Sequence, residues 1–183
     1  MKFKSILVFC GSKTGNHPIY ESIACQLGIA LAERNINVIY GGGDVGLMGV
    51  LADATLRAGG TVTGIIPYFL SEREGGRTDL TELIEVDSMA ERKKLMAKRS
   101  DAIITLPGGY GTLDELFEML TLVQLSQANH PIGILNVNGY FNHLIAQIKV
   151  MEKEGLLSST HRNLLLISDK IDDLLLQMEQ NLD

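Results

Sequence analysis

Short runs of apolar, β-branched residues recur along the chain, separated by longer stretches whose apolar positions repeat with helical period. Runs at 4–10, 36–40, 61–66, 83–86, 101–106, 131–135 and 164–167 predict strands, because continuous hydrophobicity over so short a length suits a strand buried on both faces. The segments 19–34, 47–58, 88–99, 112–127, 140–154 and 169–181 predict helices. Strand followed by helix, repeated, signals βαβ units. The predicted fold is therefore α/β: a doubly wound, Rossmann-like sandwich with a mainly parallel sheet of about seven strands flanked by helices. The 183 residues suit one such domain, spanning 1–183. The least patterned stretch, 68–80, leaves a strand end and is expected to form a mobile rim.

Composition narrows the partners. Sixteen Lys plus Arg against twenty-two Asp plus Glu give a net charge of −6, which excludes general adhesion to nucleic acid or to an anionic membrane surface. Any anionic ligand must be held by local positive potential. The opening apolar run, Ile6 to Cys10, is too short for a secretory h-region, and Gly11-Ser12 ends it. No stretch approaches the roughly 18 apolar residues of a membrane span. Cys10 and Cys25 have no paired spacing with each other or with His17, His130, His143 or His161, so neither a metal site nor a redox motif is predicted. A cytoplasmic, reduced protein is expected.

In an open α/β sheet, ligands sit beyond the carboxyl ends of the strands, so residues just after each strand carry the chemistry. Three of those positions are glycine-rich: Gly11-Ser12-Lys13, Gly41-Gly42-Gly43 and Pro107-Gly108-Gly109-Tyr110-Gly111-Thr112. Gly41 to Gly46 formally matches G-x-G-x-x-G. It reads either as a phosphate turn or as a tight turn that permits close helix packing. NAD is disfavoured, because Thr61 to Pro67 carries no acid for the ribose hydroxyls. No P-loop pattern occurs, and no lysine has a positional claim to a Schiff base.

The loop at 107–112 leaves almost no side chains between a strand and a helix, so backbone donors are free to face an anion. Thr112 and Glu115 have capping-box spacing, which offers Glu115 a purely local role; its place one turn inside a helix that starts at the proposed anion site offers it a chemical one. Five of the sixteen basic residues fall within Arg92–Arg99. Ser88 with Glu91 makes another capping box, and Lys93, Lys94 and Lys98 suit a solvated face. Arg92 shares a stripe with Leu95, Met96 and Arg99, so it points at the protein and wants an anionic partner. The segment 112–127 is apolar over more of its circumference than one sheet contact needs, which fits either the core or a homodimer seam.

Cys10-Gly11-Ser12, Tyr40-Gly41-Gly42-Gly43 with Gly46-Leu47-Met48-Gly49, and Met89 to Lys93 followed by Pro107 to Glu115 together resemble the Lonely Guy family. Its members are cytokinin riboside 5'-monophosphate phosphoribohydrolases, long labelled lysine decarboxylases. The resemblance spans about 5–156. It implies hydrolysis of the N-glycosidic bond of a purine nucleoside 5'-monophosphate without a cofactor, with Arg92 and Glu115 as the catalytic pair. The substrate-binding candidates are Gly11, Ser12, Gly42, Gly43, Met89, Lys93, Gly108, Gly109, Gly111 and Thr112. A homodimer through 112–127 is also implied. Ala90 and Lys13 depart from the family pattern, where His and a second Ser are common, and so does Glu72 to Asp79. A non-catalytic nucleotide or cofactor carrier of the same fold is the competing expectation.

Overall fold

The computed structural model describes residues 3–74 and 77–182. Seven strands form one sheet: β1 (Ser5–Phe9), β2 (Asn37–Tyr40), β3 (Val62–Pro67), β4 (Glu82–Val86), β5 (Ala102–Thr105), β6 (Ile132–Leu135) and β7 (Leu165–Ser168). Their order is β4-β3-β2-β1-β5-β6-β7, and every neighbouring pair runs parallel. The helices are α1 (Ile19–Glu33), α2 (Gly46–Arg57), α3 (Tyr68–Glu74), α4 (Met89–Arg99), α5 (Tyr110–Gln124), α6 (Asn142–Lys153), α7 (Ser159–Arg162) and α8 (Ile171–Gln180). All seven predicted strands and all six predicted helices are present, with ends shifted by a few residues.

Strand side chains alternate between faces, and β1 shows the consequence. Ile6 and Val8 enter a core with residues of α1, α2 and α8, whereas Leu7 and Phe9 enter the opposite core with α4, α5 and α6. Ile6 and Leu7 are completely buried, each contributing roughly 1.5–3 kcal/mol by leaving water. Parallel neighbours on both sides require this apolar continuity. Among the described residues no helix is long and apolar enough to cross a membrane.

The chain leaves β1 toward β2 and leaves β5 toward β6, so β1 and β5 border the switch point where an open sheet forms a crevice. Two backbone bonds fix the loops there: Leu106 N–H donates to the Phe9 carbonyl at 2.9 Å, and Gly11 N–H to the Pro107 carbonyl at 3.0 Å. The loop after β1 and the glycine loop after β5 are therefore one rigid unit.

Two expectations are corrected. The least patterned stretch, 68–80, expected to carry no element, begins with the helix α3, and Arg77 beyond it is held by ion pairs; Gly75 and Gly76 lie outside the described residues. Arg77 bonds Asp79 at 2.6 Å, Asp53 of α2 at 2.5 Å and Asp44 at 3.2 Å. Three consecutive apolar residues at Tyr68-Phe69-Leu70 hid the helical period. The second correction concerns α5, which starts at Tyr110 rather than 112 because Gly109, in extended conformation (φ −92°, ψ −153°), is its N-cap.

Candidate active site

The shift of α5 decides between the two readings of Glu115. Thr112 lies three residues past the cap, with its side chain tucked beneath Gly108, and is buried. It caps nothing through its side chain, so Glu115 has no capping box to close. Ser88 does cap α4: its hydroxyl accepts from the Glu91 N–H at 3.1 Å, and the Glu91 carboxylate accepts from the Asp87 N–H at 3.0 Å.

Glu115 instead pairs with Arg92 in the wall of a cavity of about 240 Å³ that both residues line. Both are 8% exposed. Arg92 Nε donates to the Ile65 carbonyl at 3.0 Å and Nη2 to the Gly41 carbonyl at 3.3 Å. Its remaining nitrogen, Nη1, lies 3.7 Å from Glu115 Oε1 and 3.7 Å from the Met89 sulfur. Two carbonyls thus hold the guanidinium by one edge while the other edge faces the cavity. Burial pushes the Glu115 carboxyl above the ordinary glutamate range, and Arg92 and Lys93 pull it back only in part.

Ser12, Gly109, Gly111 and Thr112 line the same cavity as Arg92 and Glu115, together with Cys10, Gly41, Met48, Leu70, Met96 and Tyr110. Burial keeps the Cys10 thiol neutral, and the Glu115 charge acts in the same direction. The first intrahelical bond of α5 runs from Leu113 N–H to the Gly109 carbonyl at 3.2 Å. The amides of Tyr110, Gly111 and Thr112 precede it, so they are donors at the positive end of a fifteen-residue helix. A second cavity of about 390 Å³ adjoins the same loop, lined by Gly11, Ser12, Lys13, Gly108, Gly109, Tyr20 and Tyr140 among others.

The other predicted residues stand apart. Gly42 and Gly43 line neither cavity. The turn that contains them is occupied by protein: Gly41 receives Arg92, and Leu47 N–H of α2 donates to the Gly11 carbonyl at 3.0 Å. Gly46, at φ +58°, leaves no room for a side chain, since a Cβ would stand 2.3 Å from the Lys13 nitrogen and the Ser12 carbonyl carbon. Close packing thus accounts for Gly46, while Gly41 at the start of the same turn lines the cavity. Met89 lines neither cavity, and its sulfur lies 3.7 Å from Arg92 Nη1. Lys93 is not on a solvated face; its ammonium binds Asp114 at 3.1 Å and Glu118, tying α4 to α5. Lys94 and Lys98 are exposed as expected. Sequence reasoning missed Met48, Leu70 and Tyr110 as cavity walls. Met48 had a signal, its place just inside the helix opened by Gly46; Leu70 sat in the stretch read as rim.

Among the described residues no cluster of three or more His, Cys, Asp or Glu is arranged to hold a metal ion.

Comparison with known proteins adds relatives to this geometry. Residues 48–178 match the family described as "Possible lysine decarboxylase". Two cytokinin riboside 5'-monophosphate phosphoribohydrolases of Arabidopsis thaliana are each 44% identical, covering 97% and 98% of this chain and 84% and 82% of their own lengths. Among solved structures, the molybdenum cofactor binding protein of Rippkaea orientalis superposes with a TM-score of 0.73 at 22% identity, covering 100% of this chain and 99% of its own. The Moco carrier protein of Chlamydomonas reinhardtii does so with a TM-score of 0.71 at 17% identity, over 99% and 98%. At these identities the solved structures share the fold.

Proposed function

Because the chain belongs to the family of the cytokinin riboside 5'-monophosphate phosphoribohydrolases, we propose that it hydrolyses the N-glycosidic bond of an adenine or N6-modified adenine nucleoside 5'-monophosphate. The products are the free base and ribose 5-phosphate. One observation carries the reading beyond kinship: the buried pair Arg92 and Glu115 lines one cavity together with the helix-opening loop Gly109–Thr112.

Cleavage of this bond builds positive charge at C1' and negative charge on the departing base. A buried carboxylate stabilises the first, and a fixed guanidinium the second. Glu115 takes a proton from water as the water oxygen bonds to C1'. The C1'–N9 electron pair leaves with the base, which then takes up the proton that Glu115 removed from water, returning the carboxylate. The raised affinity of Glu115 for protons suits a group that accepts one during turnover. Arg92 orients the nucleotide and neutralises charge on the base. The free amides at the start of α5 hold the phosphate, supplying binding energy remote from the breaking bond.

We further infer a homodimer through α5 and its C-cap, where Phe117 of the helix is 36% exposed and the capping Leu125 58% exposed. Phe117→Glu is expected to yield monomers by light scattering, and an unchanged mass would remove α5 from the seam. A cytoplasmic setting suits the two free cysteines. The activity test is release of adenine from AMP, compared with adenosine, ADP and ATP. Activity on 5'-monophosphates alone supports the reading. Saturable AMP binding without base release would identify a carrier instead.

A further inference from the structure

Tyr140 lines the second cavity along the glycine loop, whereas Arg92 and Glu115 line the first, and neither the family resemblance nor the catalytic reading uses it. Its hydroxyl donates to the Gly108 carbonyl at 2.6 Å. The turn after β6 delivers it there: Asn138 and Gly139 both have left-handed backbones, at φ 52° and 68°, and the Asn136 carboxamide oxygen accepts from the Phe141 N–H at 2.8 Å. The ring is held edge-on between Tyr20, at 5.6 Å, and the buried Phe141, at 5.0 Å. Tyr140 is thus oriented before any ligand arrives.

The peptide unit it grips joins Gly108 to Gly109. In a planar trans peptide the carbonyl of one residue and the N–H of the next point in opposite directions. A Gly108 carbonyl fixed toward Tyr140 therefore sends the Gly109 N–H to the other side of the loop. Gly109 lines both cavities, so that other side is the one shared with Arg92 and Glu115. A peptide between two glycines has no Cβ on either side to resist rotation. Only an external bond keeps its plane in one orientation.

We propose that Tyr140 is a positioning residue that locks the Gly108–Gly109 peptide plane, holding the Gly109 amide toward the 5'-phosphate of the substrate. This rests on the phosphate being cradled by the α5 loop, as proposed above. It predicts an effect confined to the phosphate, the part of the substrate assigned to this peptide.

The test is Tyr140→Phe, which keeps the ring between Tyr20 and Phe141 and removes only the hydroxyl. A hydrogen bond contributes about 0.5–1.5 kcal/mol net, so KM for AMP and the dissociation constant of ribose 5-phosphate, measured calorimetrically, are expected to rise together by roughly two- to twelvefold. The turnover number is expected to stay within about twofold, and inhibition by adenine to be unchanged. Equal ribose 5-phosphate affinity in the two proteins would overturn the proposal, as would a wild type that does not bind ribose 5-phosphate. A parallel loss of adenine inhibition and thermal stability would also overturn it, by showing a general structural role. Failure to release base from AMP would count against the hydrolase reading alone, since ribose 5-phosphate binding is measured without turnover.

Discussion

Adding the same methyl group at two glycines of one loop should move stability in opposite directions. At Gly108 a Cβ would stand 2.1 Å from Thr112 Oγ1 and 2.9 Å from the Gly11 nitrogen. Thr112 is buried and the Gly11 nitrogen belongs to a backbone bond between two strand-end loops, so neither yields cheaply. Overpacking of this kind costs about 1–3 kcal/mol. For a chain of this size that is a fall in Tm of about 2–12 °C. At Gly111 nothing lies within 4 Å of the added atom and φ is not left-handed. Alanine there limits the unfolded chain and favours the helix by about 0.4–1 kcal/mol, a rise of about 1–4 °C.

Function should separate from stability at the same position. The Gly111 methyl extends into the space that phosphate oxygens need in order to reach the first amides of α5. Loss of one charged hydrogen bond is about 1.5–3 kcal/mol, which raises KM for AMP roughly ten- to a hundredfold. Calorimetric unfolding and initial rates on Gly108→Ala and Gly111→Ala measure both effects. A Gly111→Ala protein with raised Tm and unchanged KM would refute the phosphate cradle. A Gly108→Ala protein as stable as wild type would refute the crowded geometry beneath the loop.

Three further outcomes follow from the charges. Activity should fall as acid protonates Glu115, with its midpoint above the ordinary glutamate range because burial raises this carboxyl. A carboxyl raised in the folded state stabilises below its unfolded pKa and loses that contribution as pH rises through its folded pKa, so Glu115→Gln should unfold at higher temperature than wild type at neutral pH while losing turnover; near wild-type turnover would remove Glu115 from the chemistry. Asp79 is held below the usual aspartate range by its bond to Arg77, so its contribution is present above its unfolded pKa and lost as pH falls through its folded pKa; proteolysis within 68–80 should accelerate at acid pH in wild type and lose that pH dependence in Arg77→Leu. Lys93→Met should lower stability by about 1 kcal/mol, the scale of partly exposed ion pairs, by leaving Asp114 and Glu118 without their shared cation. Its KM for AMP tests whether Lys93 also touches substrate: an unchanged value confines it to joining α4 and α5.

The strands and most helices were legible because a two-face-buried parallel sheet imposes continuous apolar runs, and each run here sits beside a helical period. What escaped was whatever depends on two elements meeting. The spacing of Thr112 and Glu115 is compatible with a capping box, and only the extended Gly109 shows that the helix has already begun. The basic run at 92–99 reads as one charged face, yet its members divide by neighbour: Arg92 goes to a carbonyl of β3 and one of the loop after β2, Lys93 to acids of α5, and Arg99 to Glu82 at 2.6 Å. Tyr140 carried no signal, because its partner is a backbone carbonyl thirty-two residues away.

That division also explains how an acidic protein can hold a phosphate. Arg77 is matched by Asp44, Asp53 and Asp79, and Lys93 by Asp114 and Glu118. These cations fasten helices and loops, and their fields are largely cancelled at the distance of the cleft. The positive potential at the loop then comes from the helix end at Gly109–Thr112, from the edge of Arg92 that faces Glu115, and from Lys13 on the adjoining cavity. Glu115 would repel a phosphate placed beside it, so the carboxylate and the amides must act on different parts of one ligand. A 5'-phosphorylated ribose meets that requirement, with the anion at the helix end and the anomeric carbon displaced along the cavity toward the carboxylate.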